Sequence, residues 1–288
     1  MGIALKLAFN LFKLRIGIVI AVTALAGAAI QPGPAVPGWR LALLALAVLV
    51  ASASAGAFNQ YYEWEVDRRM ERTRRRPFVT GALRRHAGWP WLIALMTALA
   101  TAAAWLAVNP LAALYTFLGA FFYAVVYTVW LKRRTWLNIV VGGLAGSFAV
   151  LAGAAAVTPA LSPEAALLAL VLFLWTPPHF WSLAIAYRAD YAAAGVPMLP
   201  VVKGDPAAAR AIFGHIVLLS AASLGPALYS AGWIYLIGAA AGSALFLRHG
   251  WRLVLDPGRR SAMACFHASL AQLSILLVAA MLDGAMRA

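Results

Sequence analysis

Residues 59–77 read NQYYEWEVDRRMERTRRRP. Asn59, Glu63 and Asp67 recur at every fourth position, and arginines crowd the half that follows. The flanks are of another character: residues 41–58 and 88–107 carry no charged side chain. An apolar run of this length that ends in a burst of charge reads as a membrane-spanning helix leaving the bilayer. That reading sets the fold class.

The rest of the chain agrees. Of its 288 residues, 64% are hydrophobic and 11% charged, with a mean hydropathy of +0.84, whereas soluble domains carry roughly 25% charged residues. A soluble fold of this size could not hide so much apolar surface, so lipid is the solvent for most of it. Apolar runs near 15–31, 41–61, 88–107, 110–131, 137–157, 163–186, 211–230, 232–248 and 264–283 each approach the ~20 residues that cross a bilayer. The expectation is an all-α polytopic bundle of nine transmembrane helices, one integral-membrane domain over residues 1–288. The first run is longer than the apolar core of a signal peptide and is read as the first span. The split at Ala231-Gly232 rests on a short turn.

Connections alternate in kind. Gln31-Pro32-Gly33-Pro34, Asn109-Pro110 and Thr158-Pro159 to Ser162-Pro163 are short and turn-like. Segments 63–87 and 187–210 are longer and hold most of the polar chemistry. With the N-terminus in the cytoplasm, nearly every cation falls inside: Lys6, Lys13, Arg15, the Arg68–Arg85 cluster, Lys132 to Arg134, Arg188, Lys203, Arg210, Arg248, Arg252, Arg259 and Arg260. Only Arg40 and Arg287 fall outside, as the positive-inside rule demands, and the C-terminus is then periplasmic. This asymmetry accounts for most of the net charge of +14 and disfavours nucleic acid as a partner. A lone cysteine, Cys265, excludes an internal disulfide framework and reads as a small core residue.

On a helix, residues four apart share a face, so Asn59, Glu63 and Asp67 form one polar stripe at the cytoplasmic end of the second span. An amide and two carboxylates are hard oxygen ligands that suit Mg²⁺, which usually bridges a few carboxylates to substrate phosphates. Arg72, Arg75 and Arg76 follow, and guanidinium forks bind phosphate oxygens in pairs. Together they make a diphosphate site at the membrane surface. The plainer alternative, topogenic arginines merely paired with the acids, fits Asn59 and Glu63 badly, because they lie at the membrane boundary.

The pattern Asn59, Glu63, Asp67, Met70, Arg72, Thr73, Arg76 and Pro77 resembles the first acidic motif of the UbiA-type intramembrane prenyltransferases. Its Met-x-Arg-Thr-x-x-Arg-Pro tail resembles the branch formed by the protohaem IX farnesyltransferases. YTVWLKRRTWLNIVVGGLAG (127–146), WTPPHFWSLAIAYRADYAAAGVPMLPVVKG (175–204) and FKLRIGIVIAVTALAG (12–27) are similar to further segments of that branch. Three departures stand out: Glu63 where many members have Asp, Leu14 in place of a proline, and Ser147-Phe148-Ala149-Val150 where many have a Pro-Pro pair. The last leaves the shape of the fifth helix open.

The resemblance implies a second acidic segment facing the first, with Asp190 as the matching residue. Mg²⁺ would be held by Asn59, Glu63, Asp67 and Asp190, which are the expected catalytic residues. Arg72, Arg75, Arg76, Lys132, Arg133, Arg134, Tyr187, Arg188 and Lys203 are the expected diphosphate side. The implied reaction moves a farnesyl group from farnesyl diphosphate to a vinyl group of haem b, giving haem O, in a bacterial inner membrane, with a haem A synthase as an implied partner. His179 follows Thr176-Pro177-Pro178 inside the sixth span, where the prolines are expected to open the helix. A histidine buried there needs a hydrogen-bond partner or a metal; beside the structural role usual for a lone histidine on an apolar face, the resemblance implies a haem role, as a contact to iron or to a porphyrin propionate. Three rivals stay open: prenylation of an aromatic or quinone precursor, a transporter built on a helix broken at Pro177-Pro178, and an assembly chaperone that only carries haem.

Overall fold

The computed structural model describes residues 2–287, apart from the side chains of Ile3 and Ala4, and these residues form helices and connecting turns with no strand among them. Nine long helices occupy the expected positions. They are α1 (Leu14–Ile30), α2 (Gly38–Tyr62), α3 (Gly88–Ala107), α4 (Pro110–Leu131), α5 (Asn138–Val157), α6 (Pro163–Ala186), α7 (Asp205–Leu228), α8 (Trp233–Leu255) and α9 (Arg259–Arg287). Seven of them are each long and apolar enough to cross a membrane. A short helix, Ile3–Leu11, meets α1 at a bend of 56°, and this pair passes as an eighth, broken span. Helix α8 has the length, but its last turns carry Arg248, His249 and Arg252. The count of nine is therefore met by helices and only approximately by apolarity. The protein is a multi-pass membrane protein.

Because successive helices reverse direction, the loops after α2, α4, α6 and α8 gather at one end, together with Lys13. The loops after α1, α3, α5 and α7 gather at the other. Asn109 caps α4 by accepting from Ala112 N at 2.8 Å, and Ser162 caps α6 by accepting from Ala165 N at 3.2 Å; in both helices a proline stands at the first turn. At this second end Glu164 Oε1 accepts from Ser230 N (2.9 Å) and from the Ser230 hydroxyl, while Asp283 Oδ2 accepts from Gly232 N (2.8 Å) and pairs with Arg287 Nε (2.9 Å). The α7–α8 turn is thereby tied to α6 and α9.

Between helices the packing relies on absent side chains, since lipid tails remove the hydrophobic driving force and close approach must supply dispersion instead. A methyl group on Gly153 of α5 would collide with Ala24 O of α1, and one on Gly27 of α1 would collide with Val150 O of α5. The backbones touch at this crossing. Gly153→Leu is expected to separate α1 from α5 and destabilise the bundle by about 3 kcal/mol, the upper range for overpacking. A fall in the melting temperature of detergent-solubilised protein checks it; an unchanged melting temperature would contradict this crossing.

The expectation for α6 is not met. Pro177 and Pro178 sit inside a helix that runs without interruption. Proline at 177 deprives the Phe173 carbonyl of its usual donor, yet that carbonyl lies against Gly143, at the point where α5 changes from its first segment (Asn138–Gly142) to its second (Leu144–Val157). Thr176 Oγ1 also donates to Leu172 O at 3.0 Å. The irregularity is carried by the neighbour, in the helix whose shape the sequence left open. A transporter reading loses the broken helix on which it rested.

Candidate active site

Helix α2 ends at Tyr62 and a single turn, Trp64–Asp67, follows beyond a break at Glu63. The stripe survives the break because Glu63 N still donates to Asn59 O (3.0 Å) and Asp67 N to Glu63 O (2.9 Å). Asn59, Glu63 and Asp67 are all buried, Glu63 completely. Each carboxylate meets one cation. Lys132 Nζ is 2.5 Å from Glu63 Oε2, and Arg76 Nη1 is 2.6 Å from Asp67 Oδ2. Burial pushes the Glu63 carboxyl up, but the charge and hydrogen bond of Lys132, with Lys13 and Arg76 behind it, hold it below the usual carboxylate range. Glu63 lies one residue past the span and is ionised at neutral pH.

Asn59 ties the pair inward. Its Nδ2 donates to Glu63 Oε2 (2.6 Å) and Thr128 Oγ1 (3.1 Å), and its Oδ1 accepts from Lys13 Nζ (2.7 Å), which also donates to Tyr123 OH (3.0 Å). Two features of backbone place these partners. Lys13 adopts φ +48°, a left-handed conformation that a lysine rarely takes, at the bend before α1. Residues Phe122–Leu131 of α4 are π-helical, so Lys132 N donates to Tyr127 O five residues back. The wider turn brings Tyr123, Thr128 and Lys132 to bear on Asn59 and Glu63; such turns often stand at functional sites.

The second acidic segment reaches the first through the backbone. Asp190 Oδ2 accepts from Arg72 N at 3.2 Å, and Arg72 Nη2 lies 3.5 Å from Tyr191 OH. Thr73 Oγ1 donates to Asp67 O at 3.1 Å and closes the arginine loop. Other expected residues are more scattered. Arg75, Arg134 and Lys203 are exposed, Arg133 lies over the Tyr62 ring, Arg188 faces Asp205 at 3.4 Å, and Tyr187 lies beneath Arg259. Lys13, Tyr123 and Thr128 were not singled out from the sequence; a tyrosine, a threonine and a lysine at the end of an apolar run are a weak signal without their partners.

An apolar cavity of about 370 Å³ opens beneath this cluster, between α1, α2, α4, α5, α6 and α9. Lys13 and Arg15 stand at one end of its lining, Tyr123 beside them, and Trp175 and His179 deeper. His179 is buried, with Nδ1 2.7 Å from Ser269 Oγ. The Lys13 ammonium, bonded to Asn59 and Tyr123, joins the acid cluster to the lining of this cavity.

The UbiA prenyltransferase family matches residues 20–273 of the chain. The chain belongs to that family. It is 54% identical to protoheme IX farnesyltransferase 2 of Paramagnetospirillum magneticum, over 97% of each chain. It is 40% identical to the protoheme IX farnesyltransferase of Gluconacetobacter diazotrophicus, over 96% of this chain and 90% of that one. The fold is that of solved UbiA-type proteins. A digeranylgeranylglyceryl phosphate synthase superposes with a TM-score of 0.79 at 20% identity, covering 97% of this chain and 98% of the other. A UbiA homolog from Archaeoglobus fulgidus, bound to GPP and Mg²⁺, superposes with a TM-score of 0.70 at 16% identity, covering 96% and 99%.

The residues of this UbiA-family site fit a hard divalent cation. Glu63 Oε1 is buried and has no hydrogen-bond partner, a costly state unless something else approaches it. Among the described residues no three Asp, Glu, His or Cys side chains stand together as a ready-made cage. Magnesium rarely takes an all-protein cage; substrate phosphates and water complete its shell.

Proposed function

We propose that this protein is a prenyltransferase that moves the farnesyl group of farnesyl diphosphate to a vinyl group of protohaem IX, giving haem O and diphosphate. The observation that carries the reading is the pair of buried carboxylates, each held by one cation, with Asn59 linking Glu63 to Lys13 in the lining of an apolar cavity. The high identity to protoheme IX farnesyltransferases over nearly the whole chain supports haem as the acceptor.

Glu63, Asp67 and, across the loop, Asp190 would hold Mg²⁺; Asn59, expected from the sequence as a further ligand, has its Oδ1 taken by Lys13 Nζ at 2.7 Å and orients Glu63 instead. When bound, the ion supplies Lewis-acid neutralisation of the diphosphate. Arg72, Arg75 and Arg76 grip the headgroup oxygens, and Lys132 stands ready to follow them, with Arg133, Arg134, Arg188, Tyr187 and Lys203 on the rim. These cations stabilise the charge that gathers on diphosphate as the allylic C–O bond breaks. The apolar cavity keeps water from C1. The vinyl group attacks C1, and water then adds to the cation left beside the ring and loses a proton, giving a hydroxyethylfarnesyl group. The whole chain acts as one membrane domain, in a bacterial inner membrane with its N-terminus cytoplasmic and C-terminus periplasmic, and a haem A synthase is a fitting recipient of the product.

Membranes containing the protein, supplied with haem b, farnesyl diphosphate and Mg²⁺, are expected to yield haem O by mass spectrometry, and chelation of Mg²⁺ to stop it. Conversion of 4-hydroxybenzoate alone would transfer the assignment to an aromatic acceptor.

A further inference from the structure

A second apolar cavity, of about 520 Å³, lies between α2, α3 and α4. The reaction described above makes no use of it. No charged side chain lines it, and two of its three hydroxyls, on Ser54 and Thr97, bond to each other at 2.8 Å. On α4 its wall includes Phe117 and Phe121, which stack with ring centroids 5.9 Å apart. Ala94, Ala98 and Ala102 of α3 line it and are exposed, so the cavity opens sideways to the bilayer. From Ile93 to Trp105 it follows α3 for ~18 Å, at 1.5 Å per residue.

Two alanines belong to both cavities. Ala55 of α2 and Ala120 of α4 line the 520 Å³ cavity and the 370 Å³ cavity alike, and both are buried. Ala55 stands four residues before Asn59, on the same face of α2 and ~6 Å deeper in the span. Ala120 stands three residues before Tyr123, whose hydroxyl accepts from Lys13 Nζ at 3.0 Å. The cavities therefore meet about one turn below the acid–cation cluster, where the side chains are single methyl groups. Space makes this junction matter. The central cavity of about 370 Å³ is near the lower end of the ~300–1,000 Å³ that holds one drug-sized ligand. A porphyrin and a farnesyl chain do not fit in it together, yet the reaction needs both at once.

We propose that the cavity between α2, α3 and α4 holds the hydrocarbon tail of the prenyl donor, which crosses over Ala55 and Ala120, and that its far end sets the preferred chain length. The proposal rests on the farnesyl-donor reading above. The diphosphate stays with the cations, C1 stays beside the acceptor, and the tail is drawn aside so that the macrocycle keeps the central cavity. The sideways opening admits the tail directly from the bilayer, away from the charged end. Lipid solvates an isoprenoid as well as this cavity does, so shape rather than hydrophobicity selects here. Side chains at the far end, near Ala102 and Trp105, then discriminate by excluding longer chains.

The test measures binding of farnesyl and geranyl diphosphate, with Mg²⁺, to the full-length protein in lipid nanodiscs. Mesohaem, which has no vinyl group to react, fills the acceptor's place. Ala102→Phe, which fills the far end, is expected to weaken farnesyl diphosphate binding at least about tenfold, the effect of a misfit of one methylene in an apolar pocket. It should leave geranyl diphosphate binding unchanged. Ala94→Phe, nearer the cations, should weaken both. A farnesyl diphosphate analogue with a diazirine at its tail end gives a second readout on the wild type, which serves if a variant fails to fold. Its cross-links are expected on α3 and α4. Cross-links confined to α1 and α9, or equal affinities in the wild type and both variants, would overturn the tail assignment and leave the donor reading intact; the cavity would then hold a bilayer acyl chain only. A wild-type protein that binds neither diphosphate would overturn the donor reading as well.

Discussion

Asp67→Ala is expected to lower farnesyl transfer by about 10²- to 10³-fold, the range seen when one preorganised charge-stabilising group is removed from a site. Asp67 is 2% exposed, and its Oδ2 holds the Arg76 guanidinium at 2.6 Å. Truncation takes away a proposed oxygen ligand and frees Arg76 from its ion pair, so two elements of the proposed site fail together. Folding should survive, because the bond that closes the arginine loop runs from Thr73 Oγ1 to the Asp67 backbone carbonyl, which the substitution leaves in place. Haem O formed per unit of inserted protein is the measurement, with Asp67→Asn as an isosteric companion. Wild-type turnover in the alanine variant would remove Asp67 from the chemistry and with it the diphosphate site.

Lys132→Met should act on stability as well as turnover. Glu63 is fully buried, and its Oε2 depends on the Lys132 ammonium at 2.5 Å; Lys13 is engaged with Asn59 and Tyr123 instead. Removing one partner of a buried ion pair leaves an uncompensated charge and costs about 3–5 kcal/mol. The double variant Lys132→Met/Glu63→Gln should regain most of that stability, since a glutamine can still accept from Asn59 Nδ2, while remaining inactive. Thermal unfolding in detergent reads the first effect and haem O formation the second. A double variant no more stable than Lys132→Met would mean that the two side chains are not coupled in the folded protein.

The two substitutions also separate what was legible in the chain from what was not. Asp67 announces itself: a carboxylate four residues from another, at the edge of an apolar run, beside arginines. Lys132 reads from sequence only as one of three inside-facing cations, indistinguishable from Arg133 and Arg134. The structure divides them, because a π-helical stretch turns Lys132 inward to Glu63 and leaves its two neighbours exposed. Lys13 is a similar case. It counts as a topogenic charge until the bend at φ +48° carries its ammonium to Asn59, 46 residues away. The α6 prolines show the opposite error. Their local rule is correct, yet a glycine at the break in a neighbouring helix accommodates the freed carbonyl, and no local rule contains that neighbour.

Sequence alone determined the membrane setting, the helices, their alternation and the end of the bundle that carries the acids and arginines. All of these follow from composition, run length and four-residue spacing, which are properties of contiguous chain solvated by lipid or water. Tertiary structure decided which cation meets which carboxylate, which serine meets His179, and how Asp190 is tied to the arginine loop. Those outcomes depend on directions and distances between helices remote in the chain, where a rotation of one turn or a missing methyl group changes the partner.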